Sequence, residues 1–168
     1  MCNKIDDFDI VPLSTSNYKE ALDVAFMIFR FDPTAKEDIR EAFRKYLYPD
    51  RYINPGKRTH WLLIHRKTKK IVGTIGVYSY NRKDPYSLGW FGILDEYRSL
   101  GLGKFLFQYV IDELHQRNRF VLRIETTDLH YAQTAVALYK SLGCVEVKRI
   151  PQKSPKKYNK LIFEKRLD

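Results

Sequence analysis

Between Phe8 and Leu13 the run FDIVPL reads as a short strand, and the polar cluster STSN after it supplies a helix N-cap before YKEALDVAFMIFR. A second helix is predicted from Thr34. There TAKE sets Glu37 three residues after a threonine cap, with Ile39, Phe43 and Leu47 following on one face and Pro49 beyond the end. Two branch-rich runs, HWLLIHR and IVGTIGVYSY, joined by the basic turn KTKK, predict an antiparallel hairpin. SLGWFGIL, after the turn residues NRKDP, makes a third strand in series. Past Leu94 the period changes. YRSLGLGKFLF opens a helix that runs to about Arg117, FVLRIETT is a strand, and Ala135, Leu138, Tyr139 and Leu142 recur at helical spacing. Gly143 falls where a left-handed C-terminal cap belongs; CVEVKRI, followed by Pro151, and KLIFEKRL complete the series as strands. The order β-α-α-β-β-β-α-β-α-β-β predicts an α+β fold with strands clustered before and after two crossover helices. No repeat, low-complexity tract or Gly/Ser-rich linker divides the chain, so residues 1–168 are expected to form one domain.

Composition narrows the class. A chain of 168 residues is long enough to bury a single core without a disulfide or metal staple. The two cysteines, Cys2 and Cys144, form no CxxC and no disulfide framework, and no signal segment opens the chain. No apolar run approaches the roughly 18 residues of a membrane span. A cytoplasmic location without membrane contact is the expectation. The net charge of +10 and pI near 9.5 favour an anionic partner without naming it. The basic residues are spread along the chain, and the densest stretch, QKSPKKYNK, reads as a solvated loop between two strands.

The segment ILDEYRSLGLGK carries the most chemistry. A strand, a glycine turn and a helix start aim several backbone N–H groups at one point, where the helix dipole favours negative charge. Gly101 and Gly103 let a ligand approach the main chain, and Arg98 and Lys104 add positive charge. Two phosphate motifs are excluded by count. A Walker A loop needs glycine at 98 and Ser or Thr at 105, where the chain has Arg98 and Phe105; a dinucleotide fingerprint starting at Gly101 needs Gly or Ala at 106, where it has Leu106.

The same segment resembles motif A of the GNAT superfamily of acyl-CoA-dependent N-acetyltransferases, a strand ending in Val or Ile, a Pro-Glu-Tyr-like link, then Arg-x-x-Gly-x-Gly/Ala. Ile93, Glu96, Tyr97, Arg98, Gly101 and Gly103 match, while Asp95 stands where proline is frequent. Downstream, AVALYKSLGCVEV resembles motif B through Ala135, Leu138, Tyr139 and Gly143, with Cys144 in place of the usual phenylalanine. The resemblance implies a central, mixed, mostly antiparallel sheet of about seven strands flanked by about four helices. It also implies acetyl-CoA as co-substrate. On that footing the backbone amides of Ser99, Leu100, Gly101, Leu102, Gly103 and Lys104 hold the pyrophosphate, and the main chain of Ile93, Leu94 and Asp95 pairs with the pantetheine arm like an added strand.

By the same resemblance the reaction is acetyl transfer to a primary amine by direct attack in a ternary complex. Only about one part in several thousand of a lysine-like amine is neutral at pH 7, so a base helps. An N–H at Ile93 or Leu94 is expected to stabilise the oxyanion. Tyr139 aligns with the tyrosine that many relatives use as general acid toward the coenzyme A sulfur; core packing is its alternative role. SLGWFGI offers no carboxylate, so Glu125, ending the next strand, is the first candidate for general base, with Glu96 and Asp84 in loops behind it. No Cys/His/Asp cluster has zinc spacing, so no metal is expected; His60 and His65 have strand spacing, and His130 lies beside the implied site. The acceptor is not named by the residues. Phe26, Phe29, Phe31, Tyr46, Tyr48 and Tyr52 enrich the region that in relatives shapes its site. Two other readings stay open on charge: a nucleic-acid- or ribosome-binding protein on a catalytically degenerate fold, and an acetyltransferase acting on charged tRNA.

Overall fold

The computed structural model describes residues 5–81, 85–153 and 157–167; Cys2, Asp84 and parts of the NRKDP and QKSPKKYNK stretches lie outside them. The elements follow the expected order: β1 (Phe8–Pro12), α1 (Tyr18–Ile28), α2 (Ala35–Leu47), β2 (Lys57–His65), β3 (Ile71–Ser79), β4 (Tyr86–Ile93), α3 (Leu102–Gln116), β5 (Val121–Thr127), α4 (Gln133–Ser141), β6 (Val145–Gln152) and β7 (Tyr158–Arg166). Among the described residues these strands form one seven-stranded sheet, ordered β1-β2-β3-β4-β5-β7-β6. Every pairing is antiparallel except β4 with β5. Pro151, expected just past the sixth strand, lies within it. β6 ends the sheet, and an edge strand tolerates a residue without an N–H.

Strand alternation divides the core in two. On one face Ile75, Val77, Leu122 and Ile124 pack with Leu106, Val110 and Leu114 of α3 and with Val136 and Tyr139 of α4. On the other, Leu62 and Ile71 pack with Ala21, Ala25 and Ile28 of α1 and Ile39 and Phe43 of α2. α1 lies so close to β4 that a Cβ at Gly92 would collide with Ile28 Cγ2.

The caps differ from expectation. Thr34 makes no side-chain cap bond; its N–H and Oγ1 both donate to Asp32 Oδ1 (3.0 Å each), so the capping box is replaced by a turn closed by the preceding aspartate. Asn17, at the start of α1, is used in the same way: Oδ1 accepts the Ser14 N–H (2.8 Å) and Nδ2 donates to Pro12 O (3.1 Å), bracing the turn out of β1. Gly143 has φ +76°, the left-handed cap foreseen for α4.

Candidate active site

The parallel contact of β4 with β5 is confined to two residue pairs, Tyr86 with Leu122 and Ser87 with Arg123. Beyond them the strands diverge and the sheet opens into a V toward their C-terminal ends. A bulge in β4 accompanies the divergence. The β3–β4 register shifts between Thr74 and Gly76, and Trp90 sits at φ +46°, a left-handed conformation uncommon for a bulky residue. Trp90 is held there edge-on by Phe29 at the end of α1, ring centroids 5.1 Å apart. The signal for this bulge was in the sequence, since Gly89 and Gly92 interrupt an otherwise regular strand pattern.

At the tip of β4 the main chain is largely committed. The Leu94 N–H donates to Val72 O (2.9 Å), Leu94 O accepts the Tyr97 N–H (2.9 Å), and Asp95 O accepts the Arg98 N–H (3.2 Å). Of the two N–H groups considered for the oxyanion, that of Leu94 is thus already spent on Val72, while the carbonyls of Leu94 and Asp95 each accept one N–H of the following turn. Alternation along the strand turns the Ile93 N–H and C=O the other way, into the V. Arg98 Nε donates to Ile93 O (3.1 Å), leaving the N–H.

The turn after β4 is built as a cradle. Ser99 (φ +63°) and Gly101 (φ +77°) are both left-handed, which turns successive N–H groups toward one side. α3 begins with no side-chain cap and no acidic residue in its first turn. Its first intrahelical bond here is Phe105 N–H to Gly101 O (3.0 Å), so the N–H groups of Leu102, Gly103 and Lys104 precede the ladder. Leu102 is buried and Leu100 packs on the core, so these two offer only their main chain, while Lys104 is exposed. Arg98 also pairs with Asp95 (3.0 Å), and Asp95 in turn receives Arg30 from the end of α1 (2.5 Å), which holds its carboxyl below the usual range. The residues fit a diphosphate: donors converge, no carboxylate stands in the first helical turn, and glycine leaves the approach open.

Tyr139 lies on α4, packed on the core of the α3/α4 face of the sheet. It is buried between Phe91 (6.3 Å) and Phe163 (6.2 Å), and burial raises its phenol above the ordinary value. Cys144, beside it, is buried and its thiol is pushed up to about 11. Glu125 stands on the opposite face of the sheet, in line with Arg123, and paired with Lys160. The burial expected for it is absent: its side chain keeps 40% of its surface. Glu96 is paired with Lys70 (3.1 Å) in the turn after β4. Among the described residues no group of three His, Cys, Asp or Glu is placed to hold a metal ion, and no helix is long and apolar enough to cross a membrane.

Residues 23–144 match the profile of the Acetyltransferase (GNAT) family. The chain belongs to that family. Solved structures agree on the fold. A GNAT-family protein from Desulfovibrio desulfuricans superposes with a TM-score of 0.82 at 13% identity, covering 96% of this chain and 99% of the other. The ribosomal-protein-S18-alanine N-acetyltransferase of Escherichia coli gives 0.70 at 19% identity over 96% and 94%. An aminoglycoside 6'-N-acetyltransferase complexed with coenzyme A gives 0.70 at 17% over 95% and 97%. No curated relative matches the sequence. Acetyl transfer from an acyl-CoA is general to GNAT acetyltransferases, and this chain carries the fold that performs it.

The pattern of residues did not single out His60. It lies on β2 facing α2, buried, tilted at 57° against the Phe43 ring (centroids 4.5 Å apart), with Nε2 bonded to Thr74 Oγ1 at 2.5 Å. Burial pushes its imidazole from 6.5 down to about 3. A group whose folded value is depressed stays neutral while the unfolded chain takes up a proton, so stability is full above pH 6.5 and lost as pH falls toward 3. The loss at pH 5 is roughly 2 kcal/mol. Urea melts at pH 7 and pH 5 should show it, and His60→Gln, which does not titrate, should flatten the difference.

Proposed function

We propose that this GNAT enzyme moves an acetyl group from acetyl-CoA to a primary amine by direct attack within a ternary complex. The observation that carries the reading is the V between β4 and β5 ending at the uncapped start of α3. A narrow chain fits between the strands and an anion meets the free N–H groups at its end. Bound there, acetyl-CoA supplies an acetyl thioester as the activated acyl group.

The roles of the chain's residues follow from their positions. Ser99 to Lys104 hold the diphosphate through main-chain N–H groups, and Arg98 fixes the turn by binding Ile93 O and Asp95. The Ile93 N–H, turned into the V, donates to the carbonyl oxygen as negative charge builds there. The amine approaches from the face covered by α1 and α2, where Glu125 takes its proton through water. Tyr139, protonated across the physiological range, donates to the departing sulfur from the other face. The RNA and tRNA readings rest on net charge alone, and coenzyme A, itself a polyanion, accounts for that charge equally well.

The test is calorimetric titration of the purified protein with acetyl-CoA at two salt concentrations. One-to-one binding at both, weaker at high salt, is the expected result. Absence of binding at either salt would overturn the reading.

A further inference from the structure

At the end of α1 and α2 remote from the V, a cavity of about 150 Å³ is lined by Tyr18, Arg44, Tyr48, Arg51 and Tyr52. The fold sets it apart from the reaction. α1 runs from Tyr18 in this cavity to Ile28, which packs on Gly92 beside the bulge of β4, and ten residues of helix span about 15 Å. α2 runs the other way, from Ala35 to Leu47, and delivers Arg44 and Tyr48 to the same end. Tyr48 and Tyr52 therefore lie at the opposite end of α1 from Phe29 and Trp90.

The wall of the cavity is aromatic and its rim is cationic. Tyr18 is half-buried, its ring edge-on to Phe43 of the core with centroids 6.5 Å apart. Tyr52, also half-buried, has the Lys45 ammonium over its ring at 5.6 Å, and the Arg51 guanidinium lies over the ring of Tyr48 at 4.5 Å. That stacking fixes the plane of Arg51 and leaves its N–H edge for another partner. Arg44, exposed, stands one helical turn before Tyr48. Of the carboxylates closest in sequence, Glu41 is bound to Lys45, Glu20 accepts the Ile71 N–H (3.2 Å), and Asp50 is exposed and outside the lining. The described residues that line the cavity thus contribute two guanidiniums and three phenol hydroxyls.

Size and chemistry together select a ligand. A cavity of this volume holds one six-membered ring, and tyrosine faces and edges suit an aromatic one. Two guanidiniums at one rim suit a group with several oxygens. A carboxylate occupies one of them, whereas a phosphate monoester, with three acceptor oxygens and nearly two negative charges at pH 7, serves both.

We propose that this cavity is a second ligand site, separate from the cradle at the start of α3, for an aromatic ring bearing a phosphate monoester. The ring lies among Tyr18, Tyr48 and Tyr52, and the phosphate is shared by Arg44 and Arg51 at the rim.

Calorimetry with three probes tests this, each titrated with and without saturating coenzyme A: phenyl phosphate, inorganic phosphate and benzyl alcohol. Phenyl phosphate should bind one-to-one, at least about tenfold tighter than the other two, which offer the anion or the ring alone. Coenzyme A should leave that affinity unchanged. Arg44→Gln and Arg51→Gln should each weaken it by about tenfold and together abolish it, while Arg66→Gln, beyond the far end of β2, should not alter it. Both cavity arginines are exposed, so the variants should melt with wild type. Absence of phenyl phosphate binding, or equal binding of phenyl and inorganic phosphate, would overturn the proposal. So would binding that survives the double variant, which is general attraction of anions to a chain of net charge +10, or binding lost to coenzyme A, which places the probe in the cradle. A phosphotyrosine pentapeptide distinguishes the two sources of such a ring: binding tighter than phenyl phosphate assigns it to a polypeptide, weaker binding to a small molecule.

Discussion

Gly103→Glu is expected to weaken acetyl-CoA binding by roughly a hundredfold or more while leaving the protein folded. Gly103 is the second residue of α3, and its N–H is one of those that precede the helical ladder. A carboxylate placed there meets the diphosphate at close range in the same cradle. The effect on folding has a different sign. A Cβ at 103 stands 3.3 Å from Leu138 Cδ2 and 3.8 Å from Phe91 Cζ, so one flexible methyl must shift by a few tenths of an ångström. Against that, replacing glycine inside a helix gains about 0.5–1 kcal/mol, and an acidic residue near a helix N-terminus is favourable. Thermal melting should therefore stay within a few degrees of wild type while calorimetry finds acetyl-CoA affinity lowered by about a hundredfold or more. Unchanged affinity would remove the cradle from the mechanism.

Tyr139→Phe is expected to lower kcat by about a hundredfold with little change in acetyl-CoA affinity. The ring packs between Phe91 and Phe163, so phenylalanine keeps the contacts and removes only the hydroxyl. Because burial raises the phenol from its ordinary 10.0, the acid form prevails at every working pH. The wild-type rate should then rise with pH as the amine loses its proton, and show no alkaline fall from Tyr139 up to the ordinary phenol range. Full activity in the variant would assign Tyr139 to packing alone.

Much of the fold was legible because local pattern and topology agree here. The apolar runs at β2, β3 and β4 are long and bounded by turn residues, and the helical spacing of Leu106, Val110 and Leu114 matches the face that α3 buries. The glycines at 101 and 143 mark left-handed positions that only a few residue types favour. The misses have a common cause, which is competition between polar partners far apart or poorly ranked by sequence. Nothing local says that Asp32 rather than Glu37 serves Thr34, or that Leu94 spends its N–H on Val72. Partial burial was expected of Glu125 because it lies between Ile124 and Thr126. Alternation instead turns it to the opposite face from Ile124, and Lys160 on the neighbouring strand claims it. His60 could not be ranked from the sequence, since its burial against Phe43 and its bond to Thr74 depend on two other elements.

An unpaired strand edge is ordinarily a template on which another chain adds itself, the first step of sheet-driven aggregation. Here β4 and β5 each carry such an edge in the middle of the sheet. The Tyr86 and Ser87 pairings with β5 close the wedge at one end, so the gap narrows to nothing and a foreign strand with side chains on both faces cannot run its length. A slender arm suits such a gap better than a strand does. On the proposed reading, the opening that takes acetyl-CoA is by its taper a poor template for the protein's own copies.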